Sequence, residues 1–162
     1  MDATEFRGSP LPEQVVVVER GPVANFATAI TDDNPVFHDA RAASEAGFDA
    51  IPAPPTYPLV MHTFGAFPEL QPPSGDAADP VTSAIGALMQ GGGLILHGEQ
   101  EFSYHRPVQV GDRLRGRGEI EDVYTKTSGE REMTFVVART DWTDDTTGDP
   151  VCTSRMTVIH RR

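Results

Sequence analysis

The sequence predicts an α+β layer fold, with one long helix lying on a curved antiparallel sheet. Three observations carry that expectation. Apolar residues in the first half recur at helical spacing. From residue 94 onward the period changes to two. Turn residues then divide the second half into four segments of strand length. Helices first and an antiparallel meander second is an α+β order. With 162 residues the chain reads as an irregular arm over 1–13 and one folded domain over 14–162.

The elements follow in order. In "GPVANFATAIT" (21–31), Pro22 stands near a helix start, and Val23, Phe26, Ala27 and Ile30 recur along one face. Residues 32–38 read as a polar loop fixed by Pro35. Asp39 is the expected N-cap of a short helix, "ARAASEAGF", with Gly47 near its end. "IPAPPTYPLVMHTFGAF" (51–67) reads as the central, mostly buried helix, over 55–66. Residues 68–93 are rich in Pro, Gly, Ala and Asp and read as a long mobile loop with room for one short helical turn. The strand candidates are "LILHGEQEFSYHRPV", "RLRGRGEIEDVYTKT", "REMTFVVARTDWTDD" and "PVCTSRMTVIHRR". In the second, Leu114, Gly116, Gly118 and Ile120 share one face, and Arg113, Arg115 and Arg117 the other.

Composition excludes several classes. Hydrophobic residues make up 38% and charged residues 23%, which is globular rather than disordered. The net charge of −11 argues against nucleic acid and against anionic membrane surfaces. No apolar run is long enough to span a bilayer. The polar start "MDATEFRGSPLPEQ" is not a secretory signal. The single cysteine, Cys152, permits no internal disulfide, which makes a reducing cytoplasm the natural setting. "QGGG" lacks the Lys-Ser/Thr that completes a phosphate loop, and no zinc spacing occurs. Neither a metal nor a cofactor is called for.

Separated motifs then occur together in order: "DDNPVFHD", "AGFDAIPAPPTYP", "LHGEQEFSYHRPVQVGDRLRGRGEIEDVYTK" and "MTFVVARTDWTDDTTGDPVCTSRMTVI". Over nearly its whole length the chain resembles the MaoC-like dehydratases, within them the N-terminal dehydratase-domain group. The resemblance implies a hot-dog fold, an antiparallel sheet wrapped around a central helix. It implies reversible hydration of 2-enoyl thioesters, or dehydration of 3-hydroxyacyl thioesters, on coenzyme A or an acyl carrier protein. It also implies that two such units pair, as a homodimer or a heterodimer, with the acyl chain between them.

That chemistry needs one group that serves as base and then as acid, which a histidine does near neutral pH. A carboxylate holds the water, and a backbone N–H at a helix start stabilises the enolate oxygen. The family carries these as D-x-N-P-x-H and a downstream His-Gly pair. On this chain Asp32, Asn34 and Pro35 match, but the histidine position falls on Phe37. His38 comes one residue late, and neighbours in extended chain point to opposite sides. The His-Gly position holds Pro54 and Pro55, and proline has no N–H to offer.

These departures fit the half of a paired assembly that shapes the acyl channel while a partner with an intact D-x-N-P-x-H motif supplies the catalytic pair. Asp32, Asp33, Asn34 and His38 are the catalytic candidates. Phe37, Pro55, Thr56, Tyr57, Met61 and Phe64 are the substrate-binding candidates. Pairing Asp33 with His38 is a second registration. Loop tying or a dimer contact is the alternative for His38, turn capping for Asp32 and Asp33, and core packing for the aromatics. Arg113, Arg115 and Arg117, with Arg106 and Lys126, form a basic stripe that suits either a phosphate or acidic carrier, or plain solvent. A catalytically silent thioester-binding subunit is the competing reading. A hot-dog thioesterase ranks last, since 55–66 contains no carboxylate.

Overall fold

The computed structural model describes residues 2–73, 78–129 and 131–162. Among these residues five strands, β1 (Gln14–Val17), β2 (Leu94–Tyr104), β3 (Arg113–Ser128), β4 (Arg131–Asp144) and β5 (Pro150–Arg161), form one sheet in the order β1-β3-β4-β5-β2. Every pairing is antiparallel. The long strands lie where the two-residue period places them, and alternation decides which face is buried. Leu114 and Ile120 on β3, Val136, Ala138 and Trp142 on β4, and Cys152 and Val158 on β5 point inward. Bulges between Ile120 and Asp122 and between His97 and Glu99 break the ladder and help to curl it.

Among the described residues four helices dress this sheet: α1 (Arg20–Ala29), α2 (Ala40–Glu45), α3 (Met61–Gly65) and α4 (Pro80–Met89). α1 buries Val23 and Ala27. α2 begins where Asp39 accepts a hydrogen bond from the Ala42 N–H at 2.8 Å, and the chain leaves it through Gly47 at φ 91°.

The single helix expected over 55–66 is instead a 3-10 turn, Tyr57–Leu59, followed by the five-residue α3. Prolines explain the break. Pro54 and Pro55 donate nothing, and Pro58 blocks a continuous α ladder. Phe67, before Pro68, is extended at φ −74°, ψ 134°. α3 packs directly onto β1, where a Cβ on Gly65 would sit 2.2 Å from the Val17 carbonyl oxygen.

The expected loop over 68–93 contains α4, a helix of ten residues. Asp79 caps it, accepting from the Thr82 N–H at 3.0 Å, with Pro80 in its first turn. Val81, Ala84, Ile85 and Leu88 then meet Ile120, Val123, Val136 and Val158. Residues 74–77 of that stretch lie outside the described residues.

The arm is also ordered. Residues 3–6 form a 3-10 turn with Ala3 buried. The chain then runs along β3, with Gly8 and Leu11 donating to the Ile120 and Gly118 carbonyls at 2.8 Å each. β1 itself, unread in the sequence, has its open edge closed by the Gln71 amide. That amide donates to the Val15 carbonyl at 2.8 Å and accepts the Val15 N–H at 3.1 Å.

The arginine stripe on the outer face is tied up internally. Arg113 and Arg115 reach Asp145 at 2.6 and 2.5 Å, Arg117 reaches Glu13 at 2.7 Å, and Arg115 also contacts Glu13. Lys126 sits 5.2 Å from the centroids of the stacked Tyr124 and Phe135 rings. Hydrogen bonds from Arg117 and Arg115 hold the Glu13 carboxyl below its ordinary 4.5. Burial pushes Asp145 up, but bonds from Arg115 and Arg113 outweigh it and leave Asp145 below 3.8. Carboxyls depressed on folding stabilise the fold above their unfolded values, and that contribution fades as pH falls through the folded ones. Thermal melts from pH 7 to 2.5 are expected to separate wild type from Arg115→Met most above pH 5. The gap closes below about pH 4. A constant gap would refute this account of the network.

Candidate functional site

The loop that carries the D-x-N-P motif is built by short-range hydrogen bonds. The Asp32 carboxylate accepts the Asn34 N–H at 3.1 Å, and the Asn34 side chain accepts the Val36 N–H at 3.2 Å. Asn34 thereby caps a 3-10 turn, Pro35–Phe37. Phe37 and His38 point different ways. Phe37 turns inward and is buried. His38 folds back on its own loop, with Nε2 3.3 Å from the Asp32 carbonyl oxygen, while its own carbonyl accepts from Arg20 at 3.0 Å.

Phe37 faces a cleft of about 620 Å3. One wall is Asn34, Val36 and Phe37, a second is Ala46, Phe48, Pro52, Ala53 and Pro55, and the third is the end of β2 and its exit, Tyr104 to Val108. The lining is mostly apolar, the usual character of a ligand site. Its polar groups are few. The Tyr104 hydroxyl donates to the Pro55 carbonyl at 2.6 Å, and burial raises its pKa well above the ordinary 10. Arg106 donates to Asp112 at 2.8 Å and approaches Asp144 at 3.5 Å, so its charge is spent on fixing the turn into β3. His105 lines the cleft with an exposed side chain, its backbone N–H given to the Val151 carbonyl at 2.9 Å.

Of the ten expected site residues, the structure brings Asn34, Phe37 and Pro55 into this cleft. Asp32, Asp33 and His38 are not among its lining, and Asp32 caps a turn. Tyr57 and Met61 are 0% and 1% exposed, packed in the interior beside Trp142 and Cys152 rather than along an open channel. Burial raises the Tyr57 hydroxyl to about 12. Thr56 and Phe64 are exposed, Phe64 at 49%. The helix start offers no free N–H at Pro54 or Pro55, and the Tyr57 N–H is given to the Pro54 carbonyl at 2.9 Å. Cys152 is buried, its thiol pushed to about 12, and is inert as a nucleophile. Sequence reasoning did not place Tyr104 or His105 in a site, and it assigned Arg106 to the basic stripe rather than to this cleft. Their only signal was position, at the polar end of a strand beside Pro107.

Comparison with known proteins places this geometry. Residues 6–154 match the family described as "FAS1-like, dehydratase domain region". A UPF0336 protein of Saccharopolyspora erythraea is 31% identical over 150 residues, covering 93% of this chain and 85% of that one. The HadBC (3R-hydroxyacyl-ACP dehydratase) complex of Mycobacterium tuberculosis has a chain of similar fold. It superimposes with a TM-score of 0.69 at 24% identity, covering 97% of this chain and 98% of that one. The ChsH1-ChsH2 complex of the same organism gives 0.73 at 23% identity, covering 97% and 85%. MaoC-like dehydratases and (R)-hydratases also share the fold. The antiparallel sheet curled over short helices is therefore a hot-dog fold. Among the described residues no helix is long and apolar enough to cross a membrane.

Proposed function

The chain belongs to the FAS1-like dehydratase-region family and has the hot-dog fold of MaoC-like dehydratases, and from that premise we propose that it is the acyl-binding half of a paired hydratase/dehydratase. Its substrate is read as a 2-enoyl or 3-hydroxyacyl thioester of coenzyme A or an acyl carrier protein. The observation that carries this is the orientation of the D-x-N-P loop. Phe37 faces the cleft where the family motif has histidine, and His38 is bonded back to the loop.

An apolar wall at that position suits holding an acyl chain and leaves proton transfer to a partner chain. The prolines at the helix start support the same division of work, because they remove the N–H that would meet an enolate oxygen. The open edge of β2 supports pairing. It ends the sheet, and Leu94 and Leu96 are 47% and 37% exposed.

Within the cleft this chain's residues would position and desolvate. Phe37, Phe48 and Val108 would enclose the acyl group, Asn34 would offer an amide at the rim, and the Tyr104–Pro55 bond would keep the wall closed. In the partner, histidine would remove the proton next to the thioester carbonyl and return it to the departing hydroxyl, releasing water.

The test is hydration of crotonyl-coenzyme A, followed as loss of enoyl absorbance. The chain alone is expected to give no turnover, and a partner with an intact motif to restore it. An Asp32→Ala, Asp33→Ala double variant and a His38→Ala variant should leave the restored rate within about threefold of wild type, as expected for groups outside the reacting set. Turnover by the chain alone that disappears in these variants would sink the reading.

A further inference from the structure

The outer face of the sheet divides in two. Towards Arg113 and Asp145 it carries arginines closed by carboxylates of the same chain, and Arg155 joins them, reaching Glu121 at 2.8 Å. The rest is apolar. Val123, Val136 and Val158 turn inward against α4, so the adjacent residues Tyr124, Phe135 and Ile159 turn outward. Register aligns these three with Leu96, in one row across β3, β4, β5 and β2. The Tyr124 and Phe135 rings stack at 4.8 Å, and Leu96 at the sheet edge is 37% exposed. A contiguous apolar row on an outer face marks an interaction surface.

Opposite charges flank this row. Two residues along the strands in one direction stand Lys126, Met133 and Arg161. In the other direction stand Asp122, Val137 and, on β2, Glu99. Lys126 lies over the two stacked rings, 5.2 Å from each centroid. Asp122 uses one oxygen, Oδ1, for the Val123 N–H at 2.9 Å and for Arg7 at 3.4 Å, which leaves Oδ2 to accept from elsewhere. Along the strands the order is therefore basic, apolar, acidic.

We propose that this face is an interface between two copies of the chain, stacked sheet on sheet about a two-fold axis along the Tyr124–Leu96 row. A half-turn about that row lays each strand antiparallel over its own copy. The apolar row then meets itself, Lys126 lies over the second copy's Asp122, and Arg161 comes within one strand spacing of its Glu99. Aligned sheets pack about 10 Å apart, a gap that lysine and arginine side chains span. Self-complementary charge of this kind is what a two-fold contact requires, whereas an acidic partner would be repelled by Asp122 and Glu99. The contact is separate from the cleft at Phe37 and from pairing through the β2 edge, and does not depend on the reading of that cleft.

Sedimentation equilibrium over about 1–100 μM is expected to give the wild-type chain twice the mass of Phe135→Glu, whose dissociation constant should rise about a hundredfold. Pairing through the β2 edge is common to both proteins and cancels. Lys126→Glu should weaken the association about tenfold, and adding Asp122→Lys should bring it back to within about threefold of wild type. Lys126 is exposed, so this pair keeps the test open if Phe135→Glu does not fold. Cross-linking reads the axis itself. Phe135→Cys should be joined to its copy by a bismaleimide spanning about 10 Å, whereas Ser103→Cys, on the same face but roughly 20 Å from the axis, should not. Cys152 is buried and stays silent. Equal masses, a double variant no tighter than Lys126→Glu, or no cross-link at Phe135→Cys would each overturn the proposal. Equal masses together with binding of an acidic carrier protein that Lys126→Glu abolishes would assign the face to that partner instead.

Discussion

Val36→Trp is expected to weaken acyl-thioester binding on the order of a hundredfold while the fold survives. Val36 is half-buried on the 3-10 turn between Asn34 and Phe37, and its side chain lines the cleft. An indole there takes the volume an acyl chain would occupy. Excluding about four methylenes at about 0.8 kcal/mol each removes about 3 kcal/mol, which is on the order of a hundredfold in affinity. Calorimetry with octanoyl-coenzyme A reads the loss. The melting temperature should move by no more than about 2 °C, because the new side chain grows into open space rather than into packed neighbours. Unchanged affinity would place the acyl chain elsewhere and remove the cleft from the proposed function.

Trp142→Ala is expected to cost more stability than any surface change, about 3–5 kcal/mol. The ring is 3% exposed and packs in the interior group that includes Leu114, Tyr57, Met61 and Cys152. Gly116, its neighbour across β3, has no side chain to fill the space left behind. For a chain of this size the loss corresponds to a fall in melting temperature of roughly 6–20 °C. Differential scanning calorimetry on both proteins decides it. A fall of only a degree or two would mean that the α3 end of the fold contributes little to stability.

Much of the sheet was legible, and the reason is periodic. Strands β3 and β4 bury alternate residues, so every second position carries the signal over fourteen residues or more. β1 has four residues, two of them buried, inside an uninterrupted valine run that alternation cannot parse. The two helix errors mirror each other. Residues 55–66 have apolar spacing, but prolines at 54, 55 and 58 leave too few donors for a continuous ladder. Residues 80–89 sit in a stretch whose composition reads as loop, although Asp79-Pro80 and the spacing of Val81, Ala84, Ile85 and Leu88 form a capped amphipathic helix.

At the cleft, the one-residue offset between Phe37 and His38 was readable, because adjacent side chains diverge. The rest was not. Tyr104, His105 and Arg106 are drawn to Asn34 by the curl of the sheet, a long-range event with no local spacing to announce it. Tyr57 and Met61 looked like channel residues because apolar residues that line a ligand and apolar residues that fill a core share one composition.

The strand order also governs how the chain can be made. Gln14 pairs with Gly116, and Leu94 with Arg161, so both outer strands precede in sequence the strands that receive them. A ribosome therefore releases the valine run 15–18 and the whole of β2 before either has a neighbour to bind. β1 waits only until β3 emerges, so β1, β3 and β4 can join early, whereas β2 stays unpaired until β5 has emerged. Until then the nascent chain carries β2 without its neighbour, and a C-terminal truncation that removes β5 would leave β2 with nothing to pair with.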